Sequence, residues 1–119
     1  MTKVVFYKRH GIFYGFEERD HAGYAEFGED IVCSAITAMT MLIVNTCETA
    51  WGVDVDYKID EKSANIKVVI KEALPEFCSS DEKQYAVSGL IKGYYYQLMD
   101  LIEDYSDFID VDVEEKPIR

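Results

Sequence analysis

Residues 4–16 read Val4-Val5-Phe6-Tyr7-Lys8-Arg9-His10-Gly11-Ile12-Phe13-Tyr14-Gly15-Phe16. The first five are β-branched or aromatic apart from Lys8, which favours an extended strand. Arg9-His10-Gly11 is a turn signal, and Ile12, Tyr14 and Phe16 then alternate on one face. Two strands joined this tightly form a hairpin, and a hairpin commits the start of the chain to an antiparallel sheet.

Working outward, Glu17 to Glu29 is acidic, holds Gly23 and Gly28, and shows no period, so it reads as a long loop. Asp30 then opens an amphipathic stretch. Ile31, Val32, Ala35, Ile36, Met39, Leu42 and Ile43 recur at steps of three and four, the spacing of a helix face, and the pattern ends near Cys47. Val53, Val55, Tyr57 and Ile59 alternate with polar residues as a half-buried strand. The turn Asp60-Glu61-Lys62-Ser63 leads into Ile66, Val68 and Ile70, a second hairpin. After Pro75, Ser79 with Glu82 makes a capping box for a second helix. Its face carries Val87, Leu90, Ile91, Tyr94, Leu98, Leu101, Ile102 and Tyr105. Phe108 to Val113 adds a short terminal edge strand, with Ile109, Val111 and Val113 pointing one way.

The order ββαββα, with a possible final β, predicts an α+β two-layer sandwich: an antiparallel sheet with both helices on one face. The chain has 119 residues, 49% of them hydrophobic, which suits a single domain over residues 1–119 with its own core. Sheets of this size often pair along an edge, so a homodimer is expected. Neither a signal peptide nor an apolar run long enough to cross a bilayer is expected, the longest being Ala35 to Val44.

Three cysteines, Cys33, Cys47 and Cys78, form no C-x-x-C pair, and neither histidine sits at metal spacing from one. No metal, cofactor or disulfide is therefore expected, and free thiols suit a reducing cytoplasm. The formal net charge of −11 disfavours direct contact with nucleic acid, which needs a basic face to displace counterions. It suits a basic partner.

The segment Asp20-His21-Ala22-Gly23-Tyr24-Ala25-Glu26-Phe27-Gly28-Glu29-Asp30-Ile31-Val32-Cys33 carries the chemistry. If Asp30 caps the helix, Cys33 stands at its third position. There, unpaired backbone N–H groups and the positive end of the helix dipole favour a thiolate. The same N–H groups would stabilise an oxyanion. His21 lies twelve residues upstream on a loop that returns to the helix start, close enough in sequence to act as base. By spacing alone, Cys33 reads as core filler, His21 as an idle loop residue and Asp30 as a plain cap.

His21-Ala22, Gly28 and Asp30-Ile31-Val32-Cys33-Ser34-Ala35 resemble the signature of the ribosomal-processing cysteine protease family, Prp: histidine, alanine, a spacer, glycine, any residue, aspartate, two aliphatics and cysteine. The resemblance extends over nearly the whole chain in element order and length. It departs at Asp20, where the family usually has glycine, a residue suited to positive φ. Aspartate tolerates that region better than most residues.

The resemblance implies a cysteine endopeptidase that removes a short N-terminal extension from the large-subunit ribosomal protein L-twenty-seven. Cys33 would be the nucleophile and His21 the base. Asp30 would be either a third member orienting the imidazole or only a cap. The family's substrates carry aromatic residues before the scissile bond, so an apolar groove is expected, with Tyr24, Phe27 and Tyr94 as lining. The loop from Arg19 to Glu29 is expected to close over the peptide. The alternative is a non-enzymatic acidic module docking on a basic ribosomal protein; a small-ligand regulatory domain is a third reading for a sandwich of this kind.

Overall fold

The computed structural model describes residues 1–20 and 27–118, with side chains in the second stretch described from residue 30 onward. The first hairpin forms as read, with β1 spanning Thr2–Arg9 and β2 Ile12–Arg19. Its two-residue turn has positive φ at both His10 (52°) and Gly11 (77°), the pairing that matches the twist of the flanking strands. β2 runs on to Arg19, so the segment expected to be loop from Glu17 is still strand for three residues.

A bulge breaks the alternation read for β2. Tyr7 pairs with Gly15 but Lys8 with Phe13, leaving Tyr14 as the extra residue. Phe13 and Phe16 consequently share the face of Phe6, their ring centroids both 5.8 Å from it. Tyr14 instead stacks on Tyr7 on the opposite face. Ile12, Tyr14 and Phe16 thus do not form one stripe. Gly15 is required beside the bulge: a Cβ there would stand 2.5 Å from the Val68 carbonyl oxygen.

The first helix, α1, spans Phe27–Asn45 and continues into a π-helical turn, Thr46–Ala50, that ends at Gly52 with φ of 62°. Val32, Ile36, Thr40, Ile43 and Cys47 are its buried stripe. Asp30–Ala50 is long and apolar enough to cross a membrane by length and composition, beyond the shorter run read from sequence. Its buried side packs into the domain core.

β3 (Asp56–Ile59) and β4 (Ile66–Val69) make the second hairpin, and α2 spans Asp81–Tyr105. The cap of α2 is Ser80, not Ser79; its hydroxyl accepts from the Lys83 N–H at 3.2 Å. β5 (Ile109–Glu115) completes the sheet in the order β3-β4-β2-β1-β5. It lies parallel to β1, so the sheet is mixed and not wholly antiparallel as expected. The rest of the expected architecture holds: α+β, two layers, ββαββαβ. Both helices sit on one face, since Glu18 on β2 bonds to Thr40 of α1 and to Tyr94 of α2.

Candidate active site

Cys33 is a partly exposed free thiol on α1. The described part of the helix starts at Phe27, three residues before the expected cap, so Asp30 lies inside the helix. Asp30 is therefore not the N-cap. Cys33 is the seventh described helical residue, about 9 Å along the axis from Phe27. The dipole and the unpaired N–H groups act within the first turn. The sequence argument that the helix terminus itself activates Cys33 is thereby corrected, because the thiol sits almost two turns in.

What surrounds Cys33 follows from the helical period. Asp30, Cys33, Ser34, Thr37 and Ala38 recur at three- and four-residue steps and line one shallow surface hollow. Ser34, Thr37 and Ala38 are exposed and small, so a ligand backbone can come close to the helix beside the sulfur. Asp30 is exposed at the end of the same stripe. Underneath, the first residue of β1 reaches the thiol: Thr2 Oγ1 is 3.9 Å from Cys33 Sγ. Thr2 is fully buried and its N–H donates to the Phe108 carbonyl at 2.9 Å.

His21 and Tyr24 lie outside the described residues, as does the side chain of Phe27, and so does most of the loop expected to close. The described residue next to His21 is informative. Asp20 has φ of 59°, the left-handed conformation for which glycine is best suited. Its N–H donates to Asn65 Oδ1 at 3.2 Å, which ties the exit of β2 to the β3–β4 hairpin. Aspartate thus adopts here the backbone that the resemblance led one to expect.

Tyr94 is a core residue. It is 4% exposed, packs edge-on against Phe6 and Phe16, and donates its hydroxyl to Glu18 Oε2 at 2.9 Å. That burial removes it as the wall of an open groove. Glu18 was missed in the sequence, though its parity with Phe16 on β2 points it inward. It is fully buried and accepts from both Thr40 and Tyr94. Burial raises its carboxyl to about 7, against the opposing effect of those two hydrogen bonds. Thr2 was also missed, and nothing in its sequence context distinguishes it.

The other cysteines have structural surroundings. Cys47 is fully buried, and burial, with Glu48 and Glu72 nearby, pushes its thiol up to about 11. Cys78 Sγ donates to the Ser80 carbonyl at 3.3 Å beside the cap of α2. Among the described residues no group of three or more His, Cys, Asp or Glu side chains is placed to hold a metal ion.

Comparison with known proteins shows the family and the fold. The family model described as cysteine protease Prp matches residues 1–110. The ribosomal processing cysteine protease Prp of Bacillus subtilis (strain 168) is 29% identical over 96 residues, 81% of each chain. Among solved structures, SMU.848 from Streptococcus mutans superposes with a TM-score of 0.76 at 25% identity, over 98% of this chain and 96% of that one. An essential ribosomal processing protease Prp from S. aureus, in complex with a substrate peptide, gives a TM-score of 0.76 at 17% identity. That match covers 96% of this chain and all of the other.

Proposed function

The chain belongs to the cysteine protease Prp family, and we propose that it removes the N-terminal extension of ribosomal protein L-twenty-seven, with Cys33 as nucleophile and His21 as base. The observation that carries this reading is the half-exposed Cys33 thiol beside a hollow lined by small side chains. A thiol in the interior of a core helix would have neither feature.

In this mechanism His21 takes the thiol proton as Sγ attacks the scissile carbonyl. The imidazolium then protonates the departing amine, leaving a thioester on Cys33 that water hydrolyses. Because Cys33 stands beyond the first helical turn, activation falls mainly to the base, with the Thr2 hydroxyl able to donate to the thiolate from below. Asp30, one helical step from Cys33 on the same face, serves as the third member that orients the imidazole. Tyr24 and Phe27 supply the apolar groove for the aromatic residues of the extension.

The acidic surface, at a formal net charge of −11, attracts a basic ribosomal protein and disfavours nucleic acid. A cytoplasmic location agrees with three free thiols. A homodimer forms away from the β5 edge, where Asp110, Asp112, Glu114 and Glu115 are all exposed and would repel a second copy. Incubation of the extended ribosomal protein with wild type and Cys33→Ala tests the reading.

A further inference from the structure

On the sheet face opposite the helices lies a cavity of about 350 Å³. Four of the chain's 12 basic residues line it, Lys58, Lys67, Lys71 and Lys116, and Asp56 is the acidic residue among the lining. In a chain of net charge −11, the lining of this cavity thus holds more basic than acidic side chains.

The lysines converge from separate elements. Lys58 on β3 stands directly opposite Lys67 on β4 in the strand register, and like charges in that position destabilise a sheet. Lys116 lies on the segment that follows β5. Its N–H donates to the Lys8 carbonyl at 2.9 Å and its own carbonyl accepts from the Tyr14 hydroxyl at 2.8 Å. Tyr7 forms part of the floor, with Lys67 Nζ 5.6 Å and Lys116 Nζ 4.9 Å from its ring centroid, so one aromatic ring steadies two ammonium groups.

The nearby carboxylates compensate only in part. Asp56 Oδ2 is 3.7 Å from Lys58 Nζ. Glu17, the other register neighbour of Lys67, is engaged by the Tyr7 hydroxyl through one oxygen and by Arg19 through the other. Glu114 lies near enough to act electrostatically on both the Tyr7 and Tyr14 hydroxyls, and Glu115, which accepts from the Gly11 N–H, on that of Tyr14.

We propose that this cavity binds a small ligand carrying two or more adjacent phosphate groups. Several ammonium groups on a partly enclosed wall suit a compact multivalent anion, for which lysine is an effective point-charge partner. Such an anion also relieves the repulsion between Lys58 and Lys67. Val69, Pro117 and Ile118 add apolar wall against which an organic carrier of the phosphates would pack. The cavity is independent of the Cys33 hollow, with which it shares no residue.

Titration calorimetry with sodium pyrophosphate and, separately, with adenosine diphosphate tests this. Saturable one-to-one binding of pyrophosphate is expected, weakening steeply with salt. Lys67→Ala and Lys116→Ala should each weaken it by about tenfold, a loss on the scale of one charge-assisted contact. Lys58→Ala guards against misfolding: removing the opposed charge should leave the unliganded melting temperature equal or higher, while binding still weakens. Tighter binding of the nucleotide would place its organic part against the apolar wall; equal or weaker binding would assign the site to the phosphates alone. Absence of saturable binding by both probes, or affinity unchanged in the Lys67→Ala, Lys116→Ala double variant, would overturn the proposal.

Discussion

The hydroxyl of Thr2, the first residue of β1, lies 3.9 Å from the thiol of Cys33 on α1. The contact joins β1, a strand flanked on both sides in the sheet, to the proposed nucleophile. A hydroxyl that donates to the thiolate favours the reactive form by roughly 1 kcal/mol, the scale of one net hydrogen bond. Thr2→Val keeps the shape and loses the donor. Its Cys33 should be alkylated by iodoacetamide at neutral pH about three- to fivefold more slowly than wild type, with Thr2→Ser close to wild type. An unchanged rate in Thr2→Val would make the contact one of packing alone.

Alkylation should also rank the cysteines. Cys33 is partly exposed, whereas Cys47 is fully buried with its thiol pushed up to about 11. Peptide mapping after brief treatment of the native protein should find Cys33 modified and Cys47 protected. Early modification of Cys47 would contradict its placement in the core.

Glu18 gives the fold a pH dependence whose sign is fixed. Its carboxyl is held at about 7 in the folded chain, above the ordinary 4.5. Between those values the folded chain keeps a proton that the unfolded chain releases, so stability falls as pH rises. This contribution is complete below 4.5 and is lost as pH rises through about 7. Glu18→Gln, neutral at every pH, should lose about 2–3 kcal/mol less than wild type across that window. Denaturant unfolding at both ends of the window measures it, and parallel pH profiles for the two proteins would refute the assignment.

Two backbone positions make opposite demands on glycine. Gly15→Ala drives a methyl to 2.5 Å from the Val68 carbonyl, backbone that cannot yield without opening β2 from β4; a loss of about 2–3 kcal/mol is expected. Asp20, at φ of 59°, should accept glycine with a change under about 1 kcal/mol, but Asp20→Val should cost about 1–2 kcal/mol. Thermal unfolding of the three variants checks both statements.

Most of the element order was legible because the periods are strong. Ile12 follows a two-residue turn, α2 shows its apolar stripe from Val87 to Leu98, and Ile109 alternates with acids along β5. Strand direction was not legible. Ile109, Val111 and Val113 alternate identically whether β5 runs parallel or antiparallel to β1, and only the path of α2 decides. The bulge at Tyr14 was hidden because an inserted residue leaves the composition of the strand unchanged.

At the site, Cys33 was legible in the sequence; Thr37, four residues on, shares its helical face but carried no signal of its own. The start of α1 did not, because Gly28 and the acidic residues around it weaken the helix signal ahead of Ile31. Tyr94 could not be assigned from its type alone. An aromatic residue serves a groove or a core equally well, and its partner Glu18 is what fixes it inside.

The central claim is that Cys33 performs peptide cleavage on the extended ribosomal protein L-twenty-seven. Mass spectrometry of that protein after incubation with wild type and with Cys33→Ala tests it most directly. The account predicts loss of the N-terminal extension with wild type and an intact substrate with Cys33→Ala, the variant remaining folded. Equal processing by both, or an intact substrate with folded wild type, would contradict it.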